Sequence, residues 1–219
     1  MQGIKFLMLA VFAVSAVIHL AASLQQNKPL RNKTKPFILI GLIGFYLCAA
    51  DPIVLTVVLA LGLSWLGDML LIPKGTTWFT AGGIAFMLSH VFFILSYVNQ
   101  TDFGRIPLWC LIALPALFTA AALIIFKDLR PHLPKGLFYP MLAYLIINGL
   151  MNCFAWFRAM TVGGAAGIIT AAGALLFFVS DSSLFFVRFK KDSRLKTHFL
   201  VMLTYSLGEF LIVLGLIMK

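Results

Sequence analysis

Long apolar segments joined by short connections constrain this chain more than any other feature of its sequence. A helix needs about 20 apolar residues to cross a bilayer. Charged residues make up only 11% of the chain, too few to cover a soluble domain, in which about 25% of residues are charged. We therefore predict an all-α polytopic membrane helix bundle of eight transmembrane helices, at 4–24, 36–50, 52–72, 78–98, 107–126, 137–157, 162–187 and 197–218.

Other classes of protein lack their sequence patterns. The segments show no period-two alternation, so a β-barrel is excluded. Most basic residues lie in short connections and nearly all of the 21 Phe lie inside the apolar segments, which excludes a nucleic-acid-binding surface. Residues 1–24 resemble a signal peptide, but their apolar run is long and most nearby basic residues follow it, so we keep it as the first span. We expect one integral membrane domain, 1–219, because no connection is long enough for a soluble domain.

The basic residues predict the orientation of the bundle. Of the 17 Lys and Arg, four fall on one side, at Lys5, Arg105, Arg158 and Lys219. The other 13 fall on the opposite side, at Lys28, Arg31, Lys33, Lys35, Lys74, Lys127, Arg130, Lys135, Arg188, Lys190, Lys191, Arg194 and Lys196. Because Lys and Arg concentrate in cytoplasmic loops, we predict that the richer side is cytoplasmic and that both termini are outside.

Ionisable residues inside apolar segments mark candidate sites, because hydrocarbon tolerates them poorly. Four of the seven acids lie in the predicted connections, where water solvates them: Asp51, Asp102, Asp128 and Asp192. The other three are joined by a histidine and two amides, which gives the set Asp68, Asp181, Glu209, His90, Asn148 and Asn152. Their depths, at 1.5 Å per residue, predict a polar column open toward the cytoplasm.

Helical spacing adds neighbours to this set. Ser64 lies one turn before Asp68, Arg188 lies two turns after Asp181, and Tyr205 shares a face with Glu209. Each residue also has a structural interpretation. The aspartates, Glu209 and the Asn pair could form interhelical hydrogen bonds, His90 could be a satisfied core histidine, and Arg188 could be a topology signal only.

Two short segments suggest an internal repeat. "WLGDMLLI" ends the third apolar segment, and "FVSDSSLF" stands near the end of the seventh. Both aspartates are expected toward the cytoplasmic side, because four crossings return the chain to its starting side. Helices 1–4 and 5–8 would then form a 4+4 parallel repeat.

The same residues carry a resemblance to a known family. The chain resembles the YhhN family of lysoplasmalogenase-like, eight-span membrane proteins in "GLSWLGDMLL" (62–71), "GGIAFMLSHVFFI" (82–94), "GALLFFVSDSSLFFVRF" (173–189) and "TYSLGEFLI" (204–212). Two positions depart from the family pattern as we expect it, with Phe93 in place of Tyr and Glu209 in place of Gln.

The resemblance implies an enzyme that hydrolyses the vinyl-ether bond of lysoplasmalogens to a fatty aldehyde and a glycerophospho-base. It implies Asp68 and Asp181 as the catalytic residues. We predict that they form an acid/base pair, in which either could be the acid, and we add His90 to orient water or tune the pair. The substrate-binding residues that we predict are Ser64, Asn148, Asn152, Ser180, Arg188, Tyr205 and Glu209. A lysophospholipid, water and membrane lipids are the expected partners, in a bacterial inner membrane. No metal, cofactor or nucleic acid is expected.

Two other functions fit the same residues. A midplane set of Glu209, His90 and Asn148 would suit a proton-linked small-molecule transporter. A hydrolase of another lysolipid, acting on an ester or an amide, would use similar groups. Uptake into liposomes would favour the transporter, whereas aldehyde release would favour the enzyme that cleaves vinyl ethers.

Overall fold

The chain folds into α-helices joined by short connections. A computed structural model describes residues 2–190 and 198–218. Its α-helices are α1 (Gln2–Leu24), α2 (Lys28–Ala49), α3 (Leu55–Leu70), α4 (Thr76–Val98), α5 (Leu108–Leu129), α6 (Phe138–Val162), α7 (Gly164–Phe189) and α8 (His198–Ile217). Several residues used above to predict orientation or solvation lie outside the described part, namely Lys191, Asp192, Arg194, Lys196 and Lys219.

The all-α membrane bundle is confirmed. Among the described residues, 6 helices are long and apolar enough to cross a membrane, namely α1 and α4 to α8 with their short flanking turns. Helix α3 is apolar but shorter, at 16 residues. Helix α2 has 22 residues, but the basic residues of its first half make it less apolar than the others. The described chain has eight α-helices in the predicted order, and that all eight cross the membrane stays a prediction.

Helix α2 begins earlier than we predicted. It starts at Lys28 instead of residue 36, because the Asn27 side chain accepts a hydrogen bond from the Leu30 amide and caps the first turn. Pro29 stands in that first turn, where a missing N–H is tolerated. Pro36, which we placed near a helix start, lies inside α2. The basic residues predicted in this connection are consequently helical, namely Lys28, Arg31, Lys33 and Lys35.

The chain divides into two compact units, which meet in sequence between Ser96 and Tyr97. This boundary falls at the end of α4, where the proposed 4+4 repeat would divide the helices. The repeat and the single membrane domain both stay predictions.

Close helix packing in the first unit depends on glycine. A Cβ at Gly41 of α2 would lie 2.5 Å from the Phe12 backbone nitrogen of α1, so these two helices touch through their backbones. A Cβ at Gly67 of α3 would lie 2.6 Å from the ring of Phe86 on α4. Larger residues at either position would push the helices apart. These contacts fix the position of α3 along the neighbouring helix α4, and with it the position of Asp68.

The second unit uses small residues in the same way. A Cβ at Gly167 would lie 2.7 Å from the Ala159 Cα atom, which joins the start of α7 to α6. A Cβ at Gly173 would lie 2.6 Å from the Ile212 nitrogen, which joins α7 to α8. These two glycines of α7 therefore serve helix packing, and they hold α7 between α6 and α8.

Arg158 is the largest correction to the sequence analysis. We placed it in an outer connection, but it lies inside α6 and is 2% exposed. Its guanidinium donates to Gln100 Oε1 at 2.7 Å and to Thr170 Oγ1 at 2.9 Å. It also donates to the Gly215 carbonyl at 3.2 Å. Because its donors reach α7, α8 and the segment after α4, Arg158 joins several elements of the second unit.

We expect Arg158→Met to destabilise the protein by about 3 kcal/mol or more, because it leaves buried acceptors without their charged donor. For a chain of this size, that corresponds to a fall in Tm of roughly 6–12 °C. Thermal unfolding of purified protein in detergent measures the change. Arg105→Met is the matched control, since the Arg105 side chain is 73% exposed. Equal Tm values for the two variants would contradict the structural role of Arg158.

Candidate functional site

Asp181 lies in the second unit, on α7, and is 5% exposed. Its Oδ2 atom accepts hydrogen bonds from the Tyr144 hydroxyl at 2.6 Å and from the Asn148 amide at 2.8 Å. Both donors come from α6 and both are neutral groups. Neutral donors on one oxygen orient a carboxyl group whether or not its other oxygen carries a proton. This geometry suits a group that gains and loses a proton.

The donors to Asp181 belong to one stripe of α6. Tyr144, Asn148 and Asn152 are four residues apart, so they share a helix face. The Asn152 amide donates to Asn148 Oδ1 at 3.3 Å and to the Asn148 carbonyl at 3.0 Å. Asn152 thereby orients the Asn148 amide, which in turn orients Asp181. The predicted Asn pair therefore belongs to the surroundings of the carboxyl group, and Asn152 reaches it through Asn148.

Tyr144 is a site residue that the sequence analysis missed. Its ring is buried and packs edge-to-face on Phe185, with centroids 5.2 Å apart. The available signal was its four-residue spacing from Asn148. A tyrosine in an apolar segment is commonly an interface residue, and this hid the signal.

Three predicted binding residues lie on the α7 and α8 side of the second unit. Ser180 donates to the Val201 carbonyl at 2.9 Å, so its hydroxyl joins α7 to α8. Tyr205 packs edge-to-face on Phe177, with centroids 5.4 Å apart. Glu209 is fully buried on α8. These positions give Ser180 and Tyr205 evident packing roles in addition to the predicted binding roles.

Basic residues lie at the C-terminal end of α7. Arg188 is exposed in the last turn. Lys190 donates to both carboxylate oxygens of Asp128 at 2.8 Å. Asp128, which we predicted in a connection, lies in the last turn of α5 and is ion-paired there.

Asp68 lies in the first unit, in the last turn of α3, and is 2% exposed. Its Oδ1 atom is 3.1 Å from the Nζ atom of Lys35 on α2. In the sequence Lys35 has the pattern of a topology signal only, so this ion pair is not predicted. One turn earlier on α3, Trp65 donates its indole N–H to the Pro36 carbonyl at 3.2 Å.

The other candidates in the first unit lie on α3, α4 and α1. The Ser64 hydroxyl bonds that of Ser89 at 2.8 Å, which joins α3 to α4. His90 follows Ser89 and is fully buried. His19 of α1 bonds Thr34 of α2 through Nδ1 at 3.0 Å. Ser64 is therefore a helix-joining residue in this geometry, and its predicted contact with substrate stays a prediction.

The two aspartates differ in their surroundings. Asp68 faces an ammonium group and Asp181 faces a phenol and an amide. Different surroundings let two carboxyl groups hold different protonation states at one pH. Within the described residues, no three His, Cys, Asp or Glu side chains are grouped so that they could hold a metal ion.

The comparison with protein families decides the affiliation. The sequence model of the YhhN family matches residues 30–216. The chain belongs to the YhhN family. The matched range includes Lys35, Asp68, Tyr144 and Asp181, so both aspartate environments lie inside the family region. Comparisons with curated proteins and with solved structures gave no match.

Proposed function

We propose that this protein is a membrane-embedded hydrolase that cleaves the vinyl-ether bond of lysoplasmalogens. The products would be a fatty aldehyde and a glycerophospho-base. Membership of the YhhN family supports a lysoplasmalogenase-like activity. The observation that carries the proposal is Asp181, a buried carboxyl group held by Tyr144 and Asn148 through one oxygen.

The reaction needs one acid and one base. A neutral carboxylic acid protonates the β-carbon of the vinyl ether, and the double-bond electrons form the new C–H bond. The resulting oxocarbenium ion is attacked by water, whose proton passes to a carboxylate. In the collapse of the hemiacetal, its O–H proton passes to the carboxylate that the first step left behind, and the C–O bond to glycerol breaks. The carboxyl group protonated by water gives its proton to the glycerol oxygen, which leaves as an alcohol, so both groups return to their starting states. Glycosidases divide the roles between two carboxyl groups in a similar way.

Asp68 and Asp181 are the proposed acid/base pair. Burial disfavours the charged form of a carboxyl group, and a nearby opposite charge favours it. In this protein both aspartates are buried, and the ammonium group of Lys35 lies beside Asp68. His90 is proposed to orient the water or to tune the pair.

The proposed substrate lies with its alkenyl chain between helices and its phosphate at the basic end. Arg188, exposed in the last turn of α7, is the proposed phosphate ligand. The same proposal puts this end in the cytoplasm, both termini outside, and the protein in a bacterial inner membrane. The 13:4 division of basic residues over the sequence supports that orientation.

A panel of matched lysolipids tests the reaction. Purified protein in nanodiscs is incubated with 1-alkenyl, 1-alkyl and 1-acyl lysophosphatidylethanolamine of equal chain length. We expect fatty aldehyde from the alkenyl lipid only, since a saturated ether has no double bond to protonate. Mass spectrometry measures aldehyde and glycerophosphoethanolamine in equal amounts. Release of fatty acid from the acyl lipid, without aldehyde from the alkenyl lipid, would contradict vinyl-ether hydrolysis and indicate ester hydrolysis instead.

Tyr144→Phe is expected to reduce aldehyde release by about 10-fold, because it removes a hydrogen bond to a carboxyl group while keeping the ring. Steady-state kinetics measure kcat and KM. Tyr139→Phe is the matched control, since Tyr139 is 84% exposed. An unchanged kcat in Tyr144→Phe would show that the Tyr144 hydroxyl has no role in the reaction.

A further inference from the structure

Asp68 is buried, and its ion-pair partner Lys35 is partly buried. Their side chains are 3% and 13% exposed, respectively, and their charged atoms are 3.1 Å apart. A lysine ammonium is strongly hydrated, so its burial is unfavourable unless an opposite charge compensates it. Lys35 also differs from the basic residues at helix ends, because it stands seven residues after the first residue of α2, about 10 Å along the helix.

A second contact between α2 and α3 holds Lys35 and Asp68 at the same level. Trp65, one turn before Asp68, donates to the carbonyl of Pro36, the residue after Lys35. Adjacent residues of α2 therefore contact the same face of α3, one through the backbone and one through a charge. This brace limits sliding and rotation of α3 against α2. A lysine on a flexible stem would otherwise hold a carboxylate only loosely.

We propose that Lys35 is a positioning residue that keeps Asp68 charged and aimed, so that Asp68 is the base of the reaction. This assignment rests on the proposed function. In the water step, an O–H bond of water breaks and a C–O bond forms at the oxocarbenium carbon. The proton passes to Asp68, and Lys35 keeps its own proton throughout. The role of proton donor to the β-carbon then falls to Asp181.

Other titratable groups on the neighbouring elements need controls. Helix α2 carries Arg31 one turn before Lys35. Helix α1 carries His19, bonded to Thr34 next to Lys35. Helix α4 carries His90, beside Ser89, which bonds Ser64 on the same helix as Asp68. We therefore use His19→Asn, His90→Asn and Arg31→Gln beside the Lys35 variants.

Infrared spectroscopy tests the ionisation of Asp68 without any substrate. The difference between the unmodified protein and Asp68→Asn at neutral pH should show the loss of one carboxylate band. In a Lys35→Met background the same difference should show a protonated carboxyl band instead, whereas Lys35→Arg should retain the carboxylate. The three control variants should also retain it. A carboxylate band that persists in Lys35→Met would overturn the proposal, and Lys35→Gln replaces that variant if it fails to fold.

Kinetics test whether the ionisation matters for the reaction. We expect Lys35→Met to lower kcat by 10- to 100-fold at neutral pH and to move the acidic limb of the pH profile upward by about 1–3 units. Lys35→Arg should recover most of the activity, and Lys35→Met should add no further loss to Asp68→Asn. A fall in kcat with an unmoved acidic limb would make Lys35 merely structural. If the unmodified protein releases no aldehyde, the proposed function fails, while the infrared result still decides the state of Asp68.

Discussion

Asp181→Asn is expected to lower aldehyde release from an alkenyl-lysophospholipid by about 1,000-fold. A positioned general acid or base typically contributes 10²–10⁴-fold. Asn has the same shape as Asp and can still accept from Tyr144 and Asn148, so the helices should pack as before. It cannot give up a proton as a carboxylic acid does. The loss should therefore appear in kcat, with a small change in KM.

Asp128→Asn is the matched control for this substitution. Asp128 has the same side chain, but it lies at the surface and pairs with Lys190. Its removal should leave kcat within about twofold of the unmodified value, since exposed ion pairs contribute little. More than a tenth of the activity remaining in Asp181→Asn would exclude Asp181 as an acid or base. It would leave Asp181 as part of the helix packing only.

Asp68→Asn is expected to cause a loss of similar size, about 10²–10⁴-fold in kcat. This substitution has a second effect, because it leaves the partly buried Lys35 ammonium without the Asp68 carboxylate beside it. Removing one member of a buried ion pair costs about 3–5 kcal/mol of stability. Activity must therefore be normalised to folded protein, measured by size-exclusion chromatography in detergent.

A double variant separates these two effects. Asp68→Asn combined with Lys35→Met removes both charges, and it should recover much of the lost stability without recovering activity. Asp68→Asn combined with Asp181→Asn should be no more than about tenfold worse than the poorer single variant, because residues that act as a unit are not additive. Fully multiplicative losses would show that the two aspartates serve independent functions. Recovery of activity in the charge-free variant would exclude Asp68 as a base.

Much of the fold follows from local sequence. Apolar segments of the length of a bilayer predict the helices, and their order in the described chain is correct. The predicted start of α2, at residue 36, is wrong because the basic residues from Lys28 onward resemble a connection. Asn27 and Pro29, a cap and a first-turn proline, were the available signal for the true start. The basic residues of this segment suggested a loop, whereas the Asn27 cap indicates a helix that begins at Lys28.

The burial of Asp68 and Asp181 was also predictable, since hydrocarbon rarely contains an unneeded carboxyl group. Their partners were not. Lys35 reads as a positive-inside residue, and only its distance to Asp68 separates it from Lys33, which is exposed. Tyr144 could equally have faced lipid. Which side chain contacts each aspartate depends on how neighbouring helices are rotated and shifted along their axes. Close contacts such as Gly67 against Phe86 set that rotation and shift.

Arg158 was missed for the same reason. Its position one residue beyond the predicted sixth span resembles an ordinary outer connection. The helix continues to Val162, and acceptors from three other segments surround the guanidinium. Each acceptor is a common group without a motif of its own. The sequence could therefore suggest a basic residue there, but could not predict its burial.

The reaction in heavy water tests the central claim most directly. Purified protein is given 1-alkenyl lysophosphatidylethanolamine in D₂O, and the aldehyde is trapped and examined by mass spectrometry, with Asp181→Asn and Asp128→Asn alongside. Protonation of the vinyl ether at its β-carbon predicts one deuterium on the carbon next to the aldehyde carbon, formed by the unmodified protein and by Asp128→Asn but not by Asp181→Asn. No aldehyde, or aldehyde without deuterium at that carbon, would contradict vinyl-ether hydrolysis by this protein.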